Sequence, residues 1–344
     1  MRHLFLSLAA SAALPVLAQL NGPESIEYDP IGDRYLISNT GDGSIQQMDQ
    51  AGTLTPFVSG LSPAAYGIEV RHDTLFACCG GRVRGFRTSD GASILDIDLD
   101  ATFLNGITCD ERFIYVTDFS ARVIYKVDPQ ADSFTTLVAN TTEQPNGIVY
   151  DPTADLLRVA FWGTNAKIKG YDRGNGAQIG SFTTNLTNID GIAIDCNGRI
   201  LAASWTPDRV TAFDPGFAQQ PVDLGLSGLS NPADMDFDAV NNRICVPNSG
   251  NNTVLRSPIL CDVGLALTPG YSAFNVYPDP TDGNMRVDLP LAKPTPFLVF
   301  NVRGLLVASG TLSPDALLDI TQLSPGTYII DLPSIRQRGR VVKY

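Results

Sequence analysis

The stretch QPNGIVYDPTADLLRVAFWG, residues 144–163, contains the pattern that decides the fold. Asn146 stands at the head of a short apolar strand, which is followed by a turn with Asp and Pro and by a second apolar strand. Similar segments begin PESIEYD, AAYGIEV, FLNGITC, NIDGIAI and NPADMDF. The equivalent head residues are spaced by 42, 39, 41, 44 and 44 residues, and they are Glu24, Tyr66, Asn105, Asn146, Asp190 and Asp234. A nearly regular period with four short strands per unit predicts a six-bladed β-propeller over residues 19–262.

The rest of each unit agrees with an all-β fold. The third strand of a unit alternates apolar and polar residues, as in RVIYKVD and RVTAFDP, which is typical of a half-buried strand. No segment shows sustained helical periodicity. A β-sandwich is the alternative for this part of the chain, but it does not explain a six-fold period.

Residues 1–18 are predicted to be a signal peptide. Arg2 and His3 precede an apolar run of 15 residues, and Val16-Leu17-Ala18 forms a small-residue cleavage site. The run is too short to span a bilayer, so no membrane span is expected. The formal net charge of −12 argues against nucleic acid and anionic membrane as partners.

The chain has six cysteines without CxxC or His-partner spacing, so a zinc site is not expected. Export permits disulfides. Cys245 and Cys261 are candidates to close the last repeat, and buried free thiols are an equal interpretation for Cys109 and Cys196. The adjacent residues 78 and 79 would point to opposite faces of a strand and should not pair with each other.

The head positions should converge, because the first strand of every blade lines the central channel. Antiparallel pairing of the first two strands then places Asn105 near Asp118, Asn146 near Trp162, and Asp190 near Trp205. One mouth of the channel is therefore predicted to carry acid and amide oxygens, with the two tryptophans and Phe119 beside them.

This convergence predicts a cation site. Carboxylates of Glu24, Asp190 and Asp234 about 6 Å apart would repel by roughly 3 kcal/mol per pair at an effective dielectric near 20. Either their pKa values rise or a cation lies among them. Oxygen ligands without imidazole or thiolate suit Ca²⁺, with Mg²⁺ as the second choice. The competing interpretations are ordinary turn chemistry for Asn-Gly and Asp-Gly, and blade packing for Trp162 and Trp205.

At these residues the chain resembles the senescence marker protein/gluconolactonase family of six-bladed propellers. The matching motifs are GPESIEYD, QPNGIVYD and NIDGIAID. The resemblance implies that Glu24, Asn146 and Asp190 are metal ligands, with Asp190 also acting as the general base that activates water against a lactone. It implies that Asn105 binds substrate. Asp118, Trp162, Trp205 and Asp234 complete the predicted substrate-binding set.

The sequence departs from that family in two places. Phe103 stands where the family has a substrate-binding arginine, and the first head lacks the usual EGPxW motif. Paraoxonase-like relatives use a histidine dyad, which is excluded here because the mature chain has only His72, at a predicted hairpin turn.

The sequence pattern predicts a linker over residues 263–271 and a small β-sandwich over residues 272–344. This segment resembles the type A sorting domain of the type IX secretion system of Bacteroidota. The motifs are VYPDPTDG (with Asp279 in place of the usual Asn), FNVRG, DITQLSPGTYII and the terminal VVKY with Lys343. The resemblance implies secretion through that machinery, removal of the domain, and release or attachment at the cell surface.

Three hypotheses follow for the propeller. The first is an exported, divalent-cation-binding propeller that hydrolyses a lactone or related ester. The second is a non-catalytic propeller, similar to NHL-type propellers, that binds a glycan, a peptide or a cell-surface partner at the same mouth. The third is a cation with a purely structural role.

Overall fold

The structure is a computed structural model that describes residues 19–261, 272–302, 304 and 306–344. The predicted signal peptide (1–18) and linker (263–271) lie outside the described residues. The remainder is almost entirely β-structure, as predicted. Its described helical element is one short 3-10 turn, Pro333–Ile335, and no described helix has the length and apolarity to cross a membrane.

Residues 23–258 form six antiparallel sheets that follow one another along the chain, which confirms the predicted propeller. The strands of blades 1 to 3 are β1 (Pro23–Asp29), β2 (Arg34–Asn39), β3 (Ser44–Met48), β4 (Leu54–Val58), β5 (Ala65–Arg71), β6 (Thr74–Cys79), β7 (Arg82–Arg87), β8 (Ser93–Asp98), β9 (Leu104–Cys109), β10 (Ile114–Asp118), β11 (Val123–Asp128) and β12 (Ser133–Val138). The strands of blades 4 to 6 are β13 (Pro145–Asp151), β14 (Leu156–Phe161), β15 (Lys167–Asp172), β16 (Gln178–Thr183), β17 (Thr187–Ile194), β18 (Ile200–Thr206), β19 (Asp208–Phe213), β20 (Val222–Asp223), β21 (Asp236–Asp238), β22 (Arg243–Asn248) and β23 (Thr253–Pro258).

The turn after the first strand of a blade explains the recurring Asp at that place. In blade 4 the Asp151 carboxylate accepts backbone N–H groups from Thr153 and Ala154 at 3.1 and 3.0 Å. Asp29 and Asp238 make the same pair of contacts in blades 1 and 6. The side chain thus replaces backbone partners that the tight turn cannot supply.

The glycine after the head residue is required by the approach of neighbouring blades. A Cβ on Gly147 would lie 2.6 Å from the carbonyl oxygen of Asp190 in the next blade. Glycines at the same position in three other blades would meet the next strand at 2.2 to 2.5 Å, and they are Gly67, Gly106 and Gly191. Inner strands can therefore pack this closely around the axis only without a side chain at that position.

We expect Gly147→Ala to destabilise the propeller by about 1–3 kcal/mol, because the added methyl group overpacks against main-chain atoms that cannot move independently. The matched control is Gly180→Ala on β16, where a Cβ meets nothing within 4 Å and the change should stay within about 0.5 kcal/mol. Urea unfolding midpoints measure both. Equal midpoints for the two variants would contradict the close-approach explanation.

The hydrophobic core lies between adjacent blades. For example, Phe76 and Val83 of blade 2 pack with Ile107, Ile114 and Val116 of blade 3, and all five are buried. The ring closes between its first and last blades, where the Asp234 N–H donates to the Glu24 carbonyl at 2.8 Å. Among the described residues, blade 6 has three strands, so it lacks the outer fourth strand of the other five.

The predicted role of the last cysteines needs correction. Cys261 pairs with Cys196, 65 residues earlier, and not with Cys245. Cys245 is a free, fully buried thiol on β22 that packs in the cluster with Ile26 and Tyr35, whereas Cys261 follows the end of β23. Cys196 lies in the turn between β17 and β18, so the disulfide joins blade 5 to the end of blade 6.

The C-terminal segment is a two-sheet β-sandwich, as predicted. Its strands are β24 (Ser272–Ala273), β25 (Val276–Tyr277), β26 (Asn284–Val287), β27 (Thr295–Asn301), β28 (Leu306–Leu312), β29 (Leu317–Asp319), β30 (Gly326–Leu332) and β31 (Gln337–Lys343). One sheet has five strands in the order β24-β31-β30-β27-β28, and the other has three in the order β25-β26-β29. Asp279, the residue that departs from the usual motif, accepts the Val342 N–H at 2.8 Å and so ties the motif to the last strand.

Candidate metal and ligand site

The strand heads form a cavity of about 430 Å³ at one mouth of the channel. Glu24 from blade 1, Asn146 from blade 4 and Asp190 from blade 5 all line it. Asn105 of blade 3 also lines it and is 7% exposed. The three predicted metal ligands, which are far apart in sequence, are therefore brought to one cavity.

Asn146 and Asp190 are directly joined and almost completely buried, each 2% exposed. The Asn146 Nδ2 donates to the Asp190 Oδ1 at 3.0 Å. This bond orients the amide so that its Oδ1 is a buried acceptor with no hydrogen-bond donor among the described residues. A buried acceptor without a partner costs about 1–3 kcal/mol, so this oxygen is suited to a ligand that supplies positive charge.

The electrostatics of the Glu24 and Asp190 carboxylates also favour a ligand that supplies positive charge. Burial raises the pKa of Glu24 well above its ordinary value, and the charges of Asp190 and Asp234 raise it further. Burial raises the pKa of Asp190 to about 7, against the opposing effects of the Trp205 indole N–H and the Asn146 amide. The Trp205 Nε1 makes no hydrogen bond, so the indole N–H lowers the pKa of Asp190 only as a nearby dipole. No ion pair in the described ranges involves Glu24 or Asp190, and both carboxylates lack a protein cation.

This donor set fits a hard divalent cation. Two carboxylates and one amide oxygen match the ligand preference of Ca²⁺ and Mg²⁺. Within the described part of the chain, no three His, Cys, Asp or Glu side chains are grouped so as to hold a metal. The set therefore depends on the Asn146 amide, and water or a ligand would supply the remaining coordination.

The structure corrects the predicted role of Asp234. This residue forms a parallel bridge with Ser25 and takes the place that Gly147 and Gly191 occupy in their blades. The residue at the head of blade 6 is Ala233, whose carbonyl faces Gly191. Asp234 lines a different cavity, and its carboxylate accepts the Ser25 hydroxyl at 3.0 Å.

Asp118 also has a different role from the predicted one. It is fully buried, and its oxygens accept backbone N–H groups of Thr102, Phe103 and Ala121 at 2.6, 3.2 and 2.8 Å. Asp118 therefore anchors the loops around β9 and β10, including the loop that carries Phe103, and does not line the mouth cavity.

A second cavity, of about 460 Å³, lies at the other end of the inner strands, and sequence reasoning missed it. Its acidic lining residues are Glu27, Glu69, Asp195, Asp234 and Asp236. Burial raises the pKa values of Glu69 and Asp234 to about 8 and that of Asp236 to about 6. The signal was present in the repeats, because EYD, EVR and DFD carry an acid at the same position of blades 1, 2 and 6.

Aromatic side chains form a continuous arc on the rim of the mouth cavity. Successive ring centroids are 4.7, 5.9, 6.1 and 4.9 Å apart, all near edge-to-face. This aromatic arc consists of Tyr66, Phe103, Phe119, Trp162 and Trp205. All five rings are half-buried, so both tryptophans pack against neighbours and still open on the cavity.

His72 lies far from this mouth. It stands in the turn after β5, at the opposite end of that strand from Tyr66, and its side chain is 71% exposed. A histidine-dependent reaction at the mouth cavity would need an imidazole that none of the described mouth residues supplies.

Solved structures of several propellers are similar to this chain at low identity. The gluconolactonase XC5397 from Xanthomonas campestris is 16% identical with a TM-score of 0.57, over 67% of this chain and 84% of that one. A catalytically inactive virginiamycin B lyase from Staphylococcus aureus, solved with quinupristin, is 15% identical with a TM-score of 0.53, over 67% and 78%. A chain of a nidogen/laminin complex is 18% identical with a TM-score of 0.55, over 63% and 86%. These similarities establish the propeller fold alone.

Residues 275–342 match the family model of the secretion system C-terminal sorting domain. The C-terminal β-sandwich is thus a sorting domain, as its motifs predicted, and the chain is an exported protein.

Proposed function

We propose that the propeller binds a divalent cation, Ca²⁺ in preference to Mg²⁺, and hydrolyses a lactone or related ester at the channel mouth. The observation that carries this proposal is the buried Asn146 Oδ1, an acceptor without a donor, beside two carboxylates without a protein cation. The cation ligands are Glu24, Asn146 and Asp190. The similarity to a gluconolactonase is consistent with this assignment.

The residues have distinct roles in this proposal. When bound, the cation polarises the ester carbonyl. Asp190 accepts a proton from the attacking water, and the Asn146 Nδ2 holds the Asp190 Oδ1 in a fixed orientation. The Asn105 amide, on the same cavity wall, hydrogen-bonds the substrate.

A second candidate is a non-catalytic propeller that binds a glycan, a peptide or a cell-surface partner. The half-buried tryptophans of the aromatic arc favour it, because amphipathic rings are common anchors in binding surfaces. Saturable binding of such a partner to a protein that turns over no ester would select this candidate.

The sorting domain directs the propeller through the type IX secretion machinery of a Bacteroidota-type cell. We propose that the domain is removed during passage and that the propeller is released or attached to the outer surface.

Calcium is expected to stabilise the protein more strongly at pH 8 than at pH 5. Without cation, a carboxyl whose folded pKa is raised contributes its stability fully below the unfolded pKa, near 4, and loses it as pH rises through the folded pKa. For Asp190 that folded value is about 7, so the calcium-free melting temperature should fall between pH 5 and pH 8. Calcium at a hundred times its Kd should then restore about 2.7 kcal/mol, or about 5–10 °C, at pH 8.

Differential scanning calorimetry with and without EGTA measures this effect. Glu24→Gln should lose the calcium response, and Glu111→Gln, whose side chain is 96% exposed, should keep it. An unchanged melting temperature on calcium addition at pH 8 would rule out the cation site. A full calcium response without turnover of any ester would favour the purely structural role.

A further inference from the structure

We infer that the mouth selects a neutral ester that carries a flat apolar ring, so that the substrate class is an aryl-fused lactone or aryl ester and not a polyhydroxylated sugar lactone. This inference rests on the proposed function, because it assigns the substrate class of the same site. Its basis is the aromatic arc together with the hydrogen-bonding capacity of the rest of the lining.

The aromatic arc covers one side of the mouth without interruption. Its members come from blades 2 to 5, and each ring contacts the next. Because neighbouring rings support one another, a ligand does not have to order them, and little conformational entropy is lost on binding. A flat apolar ring gains area burial and edge or face contacts against such a wall.

The polar side of the lining has little capacity left for hydroxyl groups. Glu24, Asn146 and Asp190 belong to the cation site. The hydroxyls of Thr40 and Ser249 already donate to carbonyl oxygens of Gly22 and Asn231, at 3.1 and 3.0 Å.

The Asn105 side chain takes part in none of the hydrogen bonds among the described residues, so its amide is available to a substrate. The other unpaired polar groups of the lining, the Tyr66 hydroxyl and the indole N–H groups of Trp162 and Trp205, belong to the aromatic arc. Opposite the arc, a sugar lactone would therefore bring several hydroxyls to one available amide, and each unpartnered hydroxyl would weaken binding.

The charges that line the mouth cavity further restrict the class of substrate. No Lys, Arg or His is among the described residues that line the mouth cavity. A carboxylate or phosphate on the substrate would find no cationic side chain there and would face Glu24 and Asp190. The substrate is therefore neutral before hydrolysis.

The test compares three neutral six-membered lactones in the presence of calcium: dihydrocoumarin, δ-valerolactone and glucono-δ-lactone. In the reaction of dihydrocoumarin, the oxygen of one water bonds to the carbonyl carbon and the ring bond from that carbon to oxygen breaks. One proton goes to the phenol oxygen and one to solvent as the carboxylic acid ionises. Each kcat/KM is divided by the spontaneous rate, because an aryl ester is intrinsically more reactive.

We expect the corrected value for dihydrocoumarin to exceed that for δ-valerolactone at least about ten-fold, and that for glucono-δ-lactone by more. Trp162→Ala should lower the ratio of dihydrocoumarin to δ-valerolactone about ten-fold, and Trp162→Phe should retain most of it. Phe134→Ala, on the outer strand β12, is the control and should leave the ratio unchanged.

The possible failures separate the two claims. A preference for glucono-δ-lactone, or a ratio that Trp162→Ala does not change, would overturn the aryl inference and leave the proposed function standing. If no lactone is turned over, the proposed function fails, and the binding of an aromatic analogue then tests the aryl inference. The chain has two tryptophans, Trp162 and Trp205, so their emission should change saturably with chroman, the ether analogue without the carbonyl. A flat titration would overturn the inference as well.

Discussion

Asp190→Asn is expected to lower kcat/KM for ester hydrolysis by at least about 1,000-fold and to abolish the calcium-induced rise in melting temperature. The side chain is 2% exposed and is held by the Asn146 amide at 3.0 Å. In our proposal it is both a cation ligand and the general base. Loss of a general base alone costs about 10²–10⁴-fold, and loss of the cation adds to it. Steady-state hydrolysis of dihydrocoumarin and calorimetry measure the two effects.

This variant also distinguishes lost chemistry from lost folding. Asn is nearly isosteric with Asp and removes a buried carboxyl whose pKa burial raises to about 7. Without calcium at pH 8, Asp190→Asn should therefore melt no lower than the unmodified protein. Glu111→Gln is the matched exposed control and should keep full activity. Retention of more than about a tenth of the activity in Asp190→Asn would contradict the role assigned to this residue.

The propeller could be predicted because its evidence is repeated. Glycine follows the head residue in blades 2 to 5, and an Asp begins the turn after the first strand in every blade except blade 2. A departure in one blade is therefore recognisable by comparison with the others. The three proposed cation ligands occupy that repeated position, and their convergence follows from the fold. Their residue types, and not their spacing, marked them as candidates.

Asp234 was misplaced because blade 6 breaks the pattern. Its segment has no glycine after the head residue, and three Asp residues stand at alternate positions, Asp234, Asp236 and Asp238. Counting back from Asp238, which makes the same turn contacts as Asp29 and Asp151, would have placed Ala233 at the head. The turn Asp is the better reference, because its two backbone contacts depend on local geometry that every such blade shares.

The aromatic arc was only partly predicted. Phe119, Trp162 and Trp205 were placed at the mouth, but Tyr66 and Phe103 were not connected to them. Rim residues lie in loops and at strand ends, where segment length varies between blades, and ring-to-ring contact depends on side-chain direction as well as position. The same limit applied to Cys196, whose partner is set by the packing of blade 5 against blade 6.

That disulfide leads to the second large expected effect. Blade 6 has three described strands, and its chain continues beyond Cys261 without an outer strand among the described residues. Hydrogen bonding to blade 1 holds one side of blade 6, through the Asp234 N–H and the Glu24 carbonyl. The bond from Cys196 to Cys261 holds the other side, because it ties the end of β23 to the turn of blade 5.

We expect Cys196→Ser to destabilise the protein by about 4 kcal/mol. The disulfide closes a loop of 65 residues, and this cross-link lowers the conformational entropy of the unfolded chain. For a domain of this size the melting temperature should fall by about 8–16 °C. Cys261→Ser and the double variant should lose the same amount as Cys196→Ser, because all three remove a single bond. Calorimetry under non-reducing conditions measures the series, and the unmodified protein in excess dithiothreitol should approach the variants. A double variant that loses the sum of the single effects would show that the two side chains act separately. That result would contradict the conclusion that the disulfide stabilises the protein by joining blade 5 to the end of blade 6.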